Sequence, residues 1–461
     1  MNMIISMIIY SVLKLYLILT IYQQAHYHIK QYSKHFLINF VFYDLIPIIM
    51  LLNGDIISQI GVTIKCTIFK TVFSSLYLFT KVPLKFTIRI WIIITLSIIY
   101  IVGVSFIPFV NNYLLLIIEF SIIPMFILEK GLSYLFNRKY LLKAKNKMFS
   151  YKGYIIGITG SAGKTTTKNL LDQALSLYKT VSSTPNSYNT PLGISSHINN
   201  IDLEPLDYLI LEFGTSAPHD IKKLKNIAPP NIAFITDIGY MHMEGFNTEK
   251  RFIKEKLSIL EGTYKAVVNY DVDWIRENID YNGILITYGF KYGDYIASNM
   301  CNGRFDVLYK GNKIGTFECG LIGRHQILNM TGIIAFIHSE GLEIDRLVRG
   351  IPMFKGTPNR MEIKNLGNVT ILDDSYNSNP KGFIEALSVV KESVTPRFLI
   401  TPGIVELGKY KNSIYDMLVK NIIDSVDTVI LVGKHNTRYL YKQLSLTSVN
   451  LFLVSSFKEG Y

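Results

Sequence analysis

The chain has 461 residues and a formal net charge of +12, with 49% hydrophobic residues, 18% charged residues and a mean hydropathy of +0.26. This apolar content excludes a disordered chain, and the charged fraction is below the about 25% that is usual in soluble domains. Residues 1–150 hold fourteen Lys and Arg but only four Asp and Glu, so ten of the twelve net positive charges lie in the most apolar third of the chain. We therefore predict no nucleic-acid partner.

Apolar stretches in residues 1–128 predict four or five membrane-spanning helices. Residues 91–110 contain no charge, and twenty apolar residues are enough to cross a hydrocarbon core of about 30 Å. The other stretches are residues 3–22, 36–52, 67–80 and 113–128. The Lys and Arg residues between them form clusters at 30–34, 81–89 and 130–147. The positive-inside rule places these clusters in the cytoplasm. We predict a multi-pass protein of the cell membrane with a cytoplasmic catalytic part, and four spans with 67–80 on the interface remain an alternative.

Residues 129–150 predict a basic linker after this region. Their Leu, Tyr and Phe positions alternate with Lys and Arg at helical spacing. Such a helix suits a surface of anionic headgroups, although a plain solvated helix fits the same pattern.

A strand–turn–helix pattern beyond residue 150 predicts a phosphate-binding loop. Residues 154–159 (YIIGIT) are typical of a buried strand, and residues 167–177 have apolar positions at helical spacing. Between them lie the loop residues Gly160, Ser161, Ala162, Gly163, Lys164, Thr165 and Thr166. Backbone N–H groups of such a loop bind phosphate oxygens, its Lys reaches the β- and γ-phosphates, and its Thr hydroxyl ligates Mg²⁺. The loop predicts ATP or another nucleoside triphosphate and Mg²⁺ as cofactors.

Two further strands are predicted to end in polar groups. Residues 206–211 (LDYLIL) lead to Glu212, whose carboxylate would reach a metal ion near the loop. An ordinary acid at the end of a strand is the alternative for Glu212. Residues 231–238 (NIAFITDI) predict another buried strand, which His242 follows.

Eight motifs in fixed order resemble the Mur ligase family, although the loop lacks the strict Walker spacing. They are GITGSAGKTTT (157–167), NSYNTPLG (186–193), LEFG (211–214), HMEGF (242–246), GRHQILN (323–329), NRME (359–362), DDSYNSNP (373–380) and ELG (406–408). Within the family they are most similar to the ligases that add D-alanyl-D-alanine to a UDP-N-acetylmuramoyl-tripeptide. The resemblance covers about 250 residues.

The resemblance implies ATP-dependent joining of a carboxylate to an amine through an acyl phosphate, in the synthesis of a cell-envelope precursor. Asn329, Arg360 and Asp374 match the residues that hold the adenine, the phosphates and the ribose. These residue types suit a base edge, phosphate oxygens and a sugar hydroxyl.

The family's metal sites match four residues. Thr165 and Glu212 correspond to ligands of a first Mg²⁺, and His242 corresponds to a ligand of a second one. Lys256 matches a lysine that the family often carbamylates, although an ordinary helix lysine is the alternative. Lys164, His242 and Lys256 are therefore the predicted catalytic residues.

Three residues are expected to contact the substrates by the same resemblance. Asn189 matches a residue near the acceptor substrate, Asn377 lies in the turn that closes the site, and Glu406 marks the start of the domain that brings the amine. The expected partners are a small-molecule or lipid-linked envelope precursor and an amino acid or dipeptide. A ligase for another peptide-like polymer, a transport or signalling ATPase fused to membrane spans, and a non-catalytic membrane protein are the alternatives.

The predicted fold class is an α-helical membrane region followed by an α/β part. The α/β part is expected to contain a P-loop parallel-sheet ATPase domain at residues 151–394 and a shortened Rossmann-like C-terminal domain at 395–461, with strands at 397–401, 428–432 and 451–454. The family's usual domain for the UDP group is expected to be replaced by the membrane region, and the C-terminal domain is expected to be partial.

Overall fold

A computed structural model of the chain describes residues 90–96, 99, 114–239, 246, 248–301, 303–376, 380–404, 407 and 411–456. They fall into two units, residues 1–138 and 139–461. Helix α1 runs from Leu114 to Phe149. It contains most of the predicted basic linker.

The predicted location as a multi-pass protein of the cell membrane is corrected here. Among the described residues, no helix is long and apolar enough to cross a bilayer. The predicted span 113–128 falls almost entirely within α1, whose first eighteen residues already include Glu119, Glu129 and Lys130. These charges shorten the apolar run below the length that a bilayer requires. The predicted spans 3–22, 36–52 and 67–80 lie outside the described residues, as does most of 91–110.

The second unit is built on a nine-stranded sheet in the order β2-β3-β1-β4-β5-β6-β7-β8-β9. Its strands are β1 (Tyr154–Thr159), β2 (Val181–Ser183), β3 (Tyr208–Glu212), β4 (Ile232–Ile235), β5 (Lys265–Asn269), β6 (Ile284–Gly289), β7 (Tyr295–Cys301), β8 (Arg304–Tyr309) and β9 (Asn312–Glu318). The pairs from β2 to β7 are parallel, whereas β7–β8 and β8–β9 are antiparallel. The predicted strand 154–159 is confirmed, and the two other strands predicted before residue 240 are each shorter than expected.

Helices cover both faces of this sheet. They are α2 (Lys164–Ser176), α3 (Pro191–Asn200), α4 (Asp220–Lys225), α5 (Glu249–Leu257), α6 (Asp273–Asn278), α7 (Arg324–Ser339) and α8 (Ile344–Gly350), with 3₁₀ turns at Ser258–Leu260 and Ile351–Met353. Successive strand residues therefore enter different cores: Ile156 packs with the α2 and α7 side chains, and Ile155 packs with those of α3 and α4. This two-sided burial explains why the central strands are continuous apolar runs.

Two smaller sheets follow. The antiparallel pair β10 (Glu362–Leu366) and β11 (Val369–Asp373) precedes helix α9 (Pro380–Lys391). The parallel sheet β12-β13-β14 consists of Phe398–Thr401, Thr428–Val432 and Asn450–Val454, with helices α10 (Lys411–Ser425) and α11 (Lys434–Leu444) between its strands. This alternation agrees with the predicted Rossmann-like elements. The predicted domain boundary between residues 394 and 395 remains a prediction.

Candidate active site

The glycine-rich loop lies at the carboxyl end of β1, in the middle of the sheet. Strand β1 pairs with β3 on one side and β4 on the other. The chain continues from β1 towards β2 but from β4 towards β5, in opposite directions along the sheet. Ligands bind at such a switch point in parallel sheets, because the strand ends and helix N-termini open a crevice there. The loop is fixed by a backbone hydrogen bond of 2.7 Å from Ser161 N to Asp237 O. Helix α2 begins at Lys164, directly after the last glycine of the loop.

Gly163 is the residue at which the loop turns into α2. Its φ of 80° is left-handed, and a Cβ added there would lie 3.0 Å from Asn329 Oδ1. We expect Gly163→Ala to cost about 1–2 kcal/mol in free energy of unfolding from backbone strain. It should also weaken nucleotide binding by about tenfold, because Asn329 must move away from its place beside the loop. Urea unfolding and titration with a fluorescent ATP analogue measure the two effects.

The matched control is Gly262→Ala. Gly262 has a φ of 81°, and a Cβ added there would meet no atom within 4 Å, so this variant carries the strain without the crowding. It should lose similar stability and bind nucleotide normally. Equal nucleotide binding by both variants would contradict the role of the Gly163–Asn329 approach.

Lys164 folds back over the loop from which it starts. Its ammonium donates hydrogen bonds to Gly160 O at 2.8 Å and to Ser161 O at 3.3 Å. Burial lowers the pKa of Lys164, while the carboxylates of Glu212 and Asp237 act in the opposite direction. The side chain therefore already points along the loop and can exchange these carbonyl acceptors for phosphate oxygens.

Glu212 reaches the loop from the neighbouring strand. It is the last residue of β3, opposite Ile158 of β1, and is 1% exposed. Its Oε2 accepts a hydrogen bond from Thr165 Oγ1 at 2.9 Å, and its Oε1 accepts one from Asn189 Nδ2 at 3.1 Å. A carboxylate and a hydroxyl at hydrogen-bond distance are hard oxygen donors of the kind that Mg²⁺ prefers.

This donor set suits a metal that takes most of its ligands from elsewhere. Among the residues that the structure describes, no group of three or more His, Cys, Asp and Glu side chains could hold a metal ion. Mg²⁺ does not need such a group, because it keeps several waters and binds substrate phosphates besides one or two carboxylates. Thr165 and Glu212 therefore fit a nucleotide-bound Mg²⁺ better than a metal held by protein alone.

Lys168 is a site residue that the sequence motifs did not identify. It lies one helical turn after Lys164, is fully buried, and places Nζ 3.7 Å from Glu212 Oε2. It also donates to Asn186 O. Burial lowers the pKa of Lys168, and the Glu212 carboxylate opposes this shift. The spacing of four residues in the run GKTTTK could have revealed it, because such positions share one helix face.

His197 on α3 is expected to make the stability of the region around Lys168 depend on pH. Its Nε2 lies 3.1 Å from Ser182 Oγ, and burial followed by the positive charge of Lys168 lowers the pKa of His197 to about 4. The unfolded chain would protonate it near 6.5. Its contribution to stability is therefore present above pH 6.5 and is lost as the pH falls towards 4.

We expect this loss to be about 1–2 kcal/mol, after a reduction for partial exposure of the ring. The variant His197→Gln should have a flatter dependence of unfolding free energy on pH than the wild type between pH 4 and 6.5. Urea unfolding at several pH values measures the difference. Identical slopes for both proteins would contradict the prediction.

Lys256 extends into the same site from α5. It is 1% exposed, and its Nζ donates to Gly160 O at 3.0 Å and lies 5.0 Å from the centre of the Phe252 ring. Burial and, secondarily, the charge of Lys164 hold the pKa of Lys256 well below its usual range. The alternative of an ordinary exposed helix lysine is therefore wrong. A carbamylated Lys256 remains a prediction.

The predicted nucleotide residues come from later segments of the chain. Asn329 of α7 is 6% exposed, and its Nδ2 has no hydrogen-bond partner among the described residues. Arg360 donates from Nη2 to Thr165 Oγ1 at 3.5 Å. Burial raises the pKa of Asp374, while the charges of His325 and Arg360 act against this shift. A buried amide without a partner fits a site that a ligand completes.

The structure brings most of the predicted residues together, and three fall outside what it describes. The loop residues, Glu212, Asn189, Lys256, Asn329 and Arg360 form a continuous set of contacts around Thr165 and Gly160. His242, Asn377 and Glu406 lie outside the described residues. Their roles stay predictions.

Asp237, Ser187 and Tyr376 are further residues near the loop to which the sequence motifs assigned no role. Asp237 follows β4 and lies 3.4 Å from Lys381 Nζ of α9. Asp237 is the one acidic residue of the predicted strand 231–238, close to its end, and this is a sequence signal for it. Ser187 and Tyr376 lie inside two of the family motifs, but nothing in their spacing indicates that they meet.

Comparison with known proteins agrees with this geometry. Residues 158–337 match the family model of the Mur ligase middle domain. The chain is 28% identical over 287 residues to UDP-N-acetylmuramoyl-tripeptide–D-alanyl-D-alanine ligase of Bacillus subtilis, covering 61% of this chain and 63% of that protein. It thus spans less than two thirds of that relative's length.

Solved structures share the fold. A crystal structure of MurF from Acinetobacter baumannii matches with a TM-score of 0.63 at 21% identity, over 69% of this chain and 71% of that one. A MurF ligase from Thermotoga maritima in complex with ADP matches with a TM-score of 0.60 at 23% identity, over 69% of this chain and 79% of that one. The α/β part therefore has the Mur ligase fold.

Proposed function

Because residues 158–337 match the Mur ligase middle domain, we propose that this chain is an ATP-dependent ligase that joins a carboxylate to an amine. The observation that carries the proposal is the contact of 2.9 Å between Thr165 Oγ1 and Glu212 Oε2 at the phosphate loop. The names of the relatives support the D-alanyl-D-alanine-adding type, with a UDP-N-acetylmuramoyl-tripeptide as the acyl donor.

The reaction proceeds in two transfers. A carboxylate oxygen of the donor attacks the γ-phosphorus of ATP, the bond to the β-phosphate oxygen breaks, and ADP leaves. The amine nitrogen then attacks the acyl carbon of the acyl phosphate, loses a proton, and expels inorganic phosphate. Such chemistry depends on positioning and on neutralising the charge of the phosphoryl oxygens.

The residues around the loop are suited to these tasks. Loop N–H groups and Lys164 would hold the phosphates, and Arg360 would neutralise charge beside Thr165. Thr165 and Glu212 would hold Mg²⁺, which supplies charge neutralisation and orientation when it is bound. Asn329 would contact the adenine and Asp374 the ribose. Asn189, which already contacts Glu212, would lie between the metal site and the acceptor substrate.

Lys256 suits a role beside the phosphates both as an unmodified lysine and as a carbamate. Its low pKa favours the neutral amine, which is the form that can react with carbon dioxide to give a carbamate. A carbamate would add oxygen ligands that an ammonium cannot offer, because an ammonium has only donors.

Phosphate release tests the proposed function directly. The full chain is incubated with ATP, Mg²⁺, UDP-N-acetylmuramoyl-tripeptide and D-alanyl-D-alanine, and each component is omitted in turn. We expect phosphate release to require both the carboxylate and the amine, with formation of the joined product in mass spectrometry. ATP hydrolysis that is independent of both substrates would favour an ATPase. Joining of other peptides alone would favour the synthesis of another peptide-like polymer.

A further inference from the structure

Tyr376 connects two segments of the site that are far apart in sequence. Its hydroxyl donates a hydrogen bond to Ser187 Oγ at 2.8 Å across a sequence separation of 189 residues. Its backbone N–H donates to Asn359 O at 3.2 Å, and its ring lies 4.5 Å from the Arg360 guanidinium. The same side chain therefore contacts a phosphate-site cation and the segment that contains Ser187.

Both Ser187 and Arg360, the two side chains that Tyr376 contacts, also contact the phosphate loop. Ser187 Oγ lies 3.4 Å from Thr165 Oγ1, and Arg360 Nη2 lies 3.5 Å from the same Thr165 oxygen. Thr165, Ser187, Tyr376 and Arg360 thus form a closed circuit of four side chains from four segments. Two of its contacts, at 3.4 and 3.5 Å, are at the outer limit of hydrogen bonding.

Several hydrogen bonds hold residues 186–189, which we call the acceptor segment, and three of them go to different parts of the chain. Asn186 O accepts from Lys168, Asn189 donates to Glu212, and Ser187 accepts from Tyr376. The first two contacts bind the segment to α2 and β3, which already carry the phosphate loop and Glu212. Only the Ser187–Tyr376 contact among these three joins the acceptor segment to the residues after β11.

The Tyr376 hydroxyl does not need this contact for its own solvation. Tyr376 is 51% exposed, so water could satisfy its hydroxyl if Ser187 were absent. A hydrogen bond of this kind contributes only about 0.5–1.5 kcal/mol to stability. Its removal should therefore leave the chain folded, so that an effect on the site can be measured.

We propose that Tyr376 is a positioning residue that couples nucleotide binding at Arg360 and Thr165 to the arrangement of the acceptor segment through Ser187. The coupling to the nucleotide stands by itself. That the second ligand is the carboxylate substrate, which accepts the phosphoryl group in the first transfer, rests on the proposed function. The contact consists of one hydroxyl donating to another, so Tyr376→Phe and Ser187→Ala remove the same bond from opposite ends.

Kinetics of matched variants test the coupling. Tyr376→Phe keeps the ring over Arg360 and removes only the hydroxyl. We expect the KM for the carboxylate substrate to rise about 5–10-fold, which corresponds to the loss of about one hydrogen bond. The kcat and the Kd for ADP should stay within about twofold of the wild-type values. Ser187→Ala removes the same bond and also the 3.4 Å contact of Ser187 Oγ with Thr165 Oγ1, so its KM should rise at least as much. Because it already removes the contact that Tyr376→Phe removes, the double variant should be no worse than Ser187→Ala.

A second pair of variants separates the hydroxyl from the ring. Tyr376→Leu also removes the ring beside Arg360, so the Kd for ADP should rise by about 2–5-fold in addition, as expected for an exposed cation–π contact. Tyr292→Phe is the matched control, since Tyr292 is 50% exposed, lies over Arg276, and follows β6, which is three strands away from β1 in the sheet. Additive effects of Tyr376→Phe and Ser187→Ala, or an unchanged KM, would overturn the coupling.

A binding measurement does not depend on ligase activity. In hydrogen-exchange mass spectrometry, ADP should slow exchange of the acceptor segment in the wild type and in Tyr292→Phe, but not in Tyr376→Phe or Ser187→Ala. Equal protection in all four proteins, or no ADP binding by the wild type, would overturn the proposal. The wild type could show this Tyr376-dependent protection and yet have no ligase activity. That result would support the coupling and reject the proposed function.

Discussion

Replacing Lys164 by Met is expected to reduce nucleotide-dependent phosphate release by about 10²–10³-fold, the loss seen when a donor to a developing oxyanion is removed. Met keeps the length of the side chain but has no charge and no donor. The Lys164 contacts with Gly160 O and Ser161 O show an ammonium lying along the loop, where the phosphates would bind. Phosphate release under saturating substrates measures the loss.

The control for this variant is Lys222→Met. Lys222 is an exposed residue of the short helix α4, so its replacement makes the same change of charge away from the loop. We expect normal phosphate release from it and an unchanged unfolding midpoint. If Lys164→Met kept more than a tenth of the wild-type rate while Lys222→Met was fully active, the assignment of the phosphate site would be wrong.

Glu212→Gln is expected to damage stability and activity together. Glu212 is the acidic partner of the fully buried Lys168, at 3.7 Å. Removal of one partner of a buried ion pair costs about 3–5 kcal/mol in free energy of unfolding. The loss cannot exceed the free energy of deprotonating Lys168, because the neutral amine needs no carboxylate partner. Since burial already lowers the pKa of Lys168, the loss of Glu212 should drive it towards the neutral amine. Urea unfolding at pH 7 measures the free energy of unfolding.

The double variant Glu212→Gln/Lys168→Met separates the two roles of Glu212. It removes both charges, so it should recover much of the stability that the single variant loses, because no buried charge is left without a partner. It should not recover Mg²⁺-dependent nucleotide binding, since the carboxylate beside Thr165 is still absent. Recovery of binding together with stability would show that Glu212 acts only through Lys168.

The bounds of two strands, one in each of the two larger sheets, could be predicted because their signals are local. Residues 154–159 and 428–432 were predicted as strands and have these bounds in the structure. Both are short apolar runs bounded by polar or glycine-containing turns, the pattern of strands that are buried on two faces. The helix after the loop begins three residues earlier than predicted, at Lys164, because its first turn is made of Lys and Thr and has no apolar periodicity.

The predicted location in the cell membrane is wrong, and 113–128 is the one predicted span that the described residues include almost completely. Helix α1 joins part of a predicted span to the basic residues that follow it, with Glu119 inside the apolar part. Among the described residues this leaves no helix of the required length and apolarity.

The sequence by itself predicted the strand, the glycine-rich turn and the helix that follows it, since each depends on residues that are neighbours in the chain. Only the tertiary structure decided that Lys256 is buried against Gly160, that Lys168 lies behind Glu212, and that Tyr376 meets Ser187. These contacts join residues that are 44 to 189 positions apart and that lie on different helices, strands and loops, so only the folded chain brings them together. Ten of the twelve net positive charges lie in residues 1–150. The candidate site instead contains the buried cations Lys168 and Lys256, and amino-acid composition does not show that a side chain is buried.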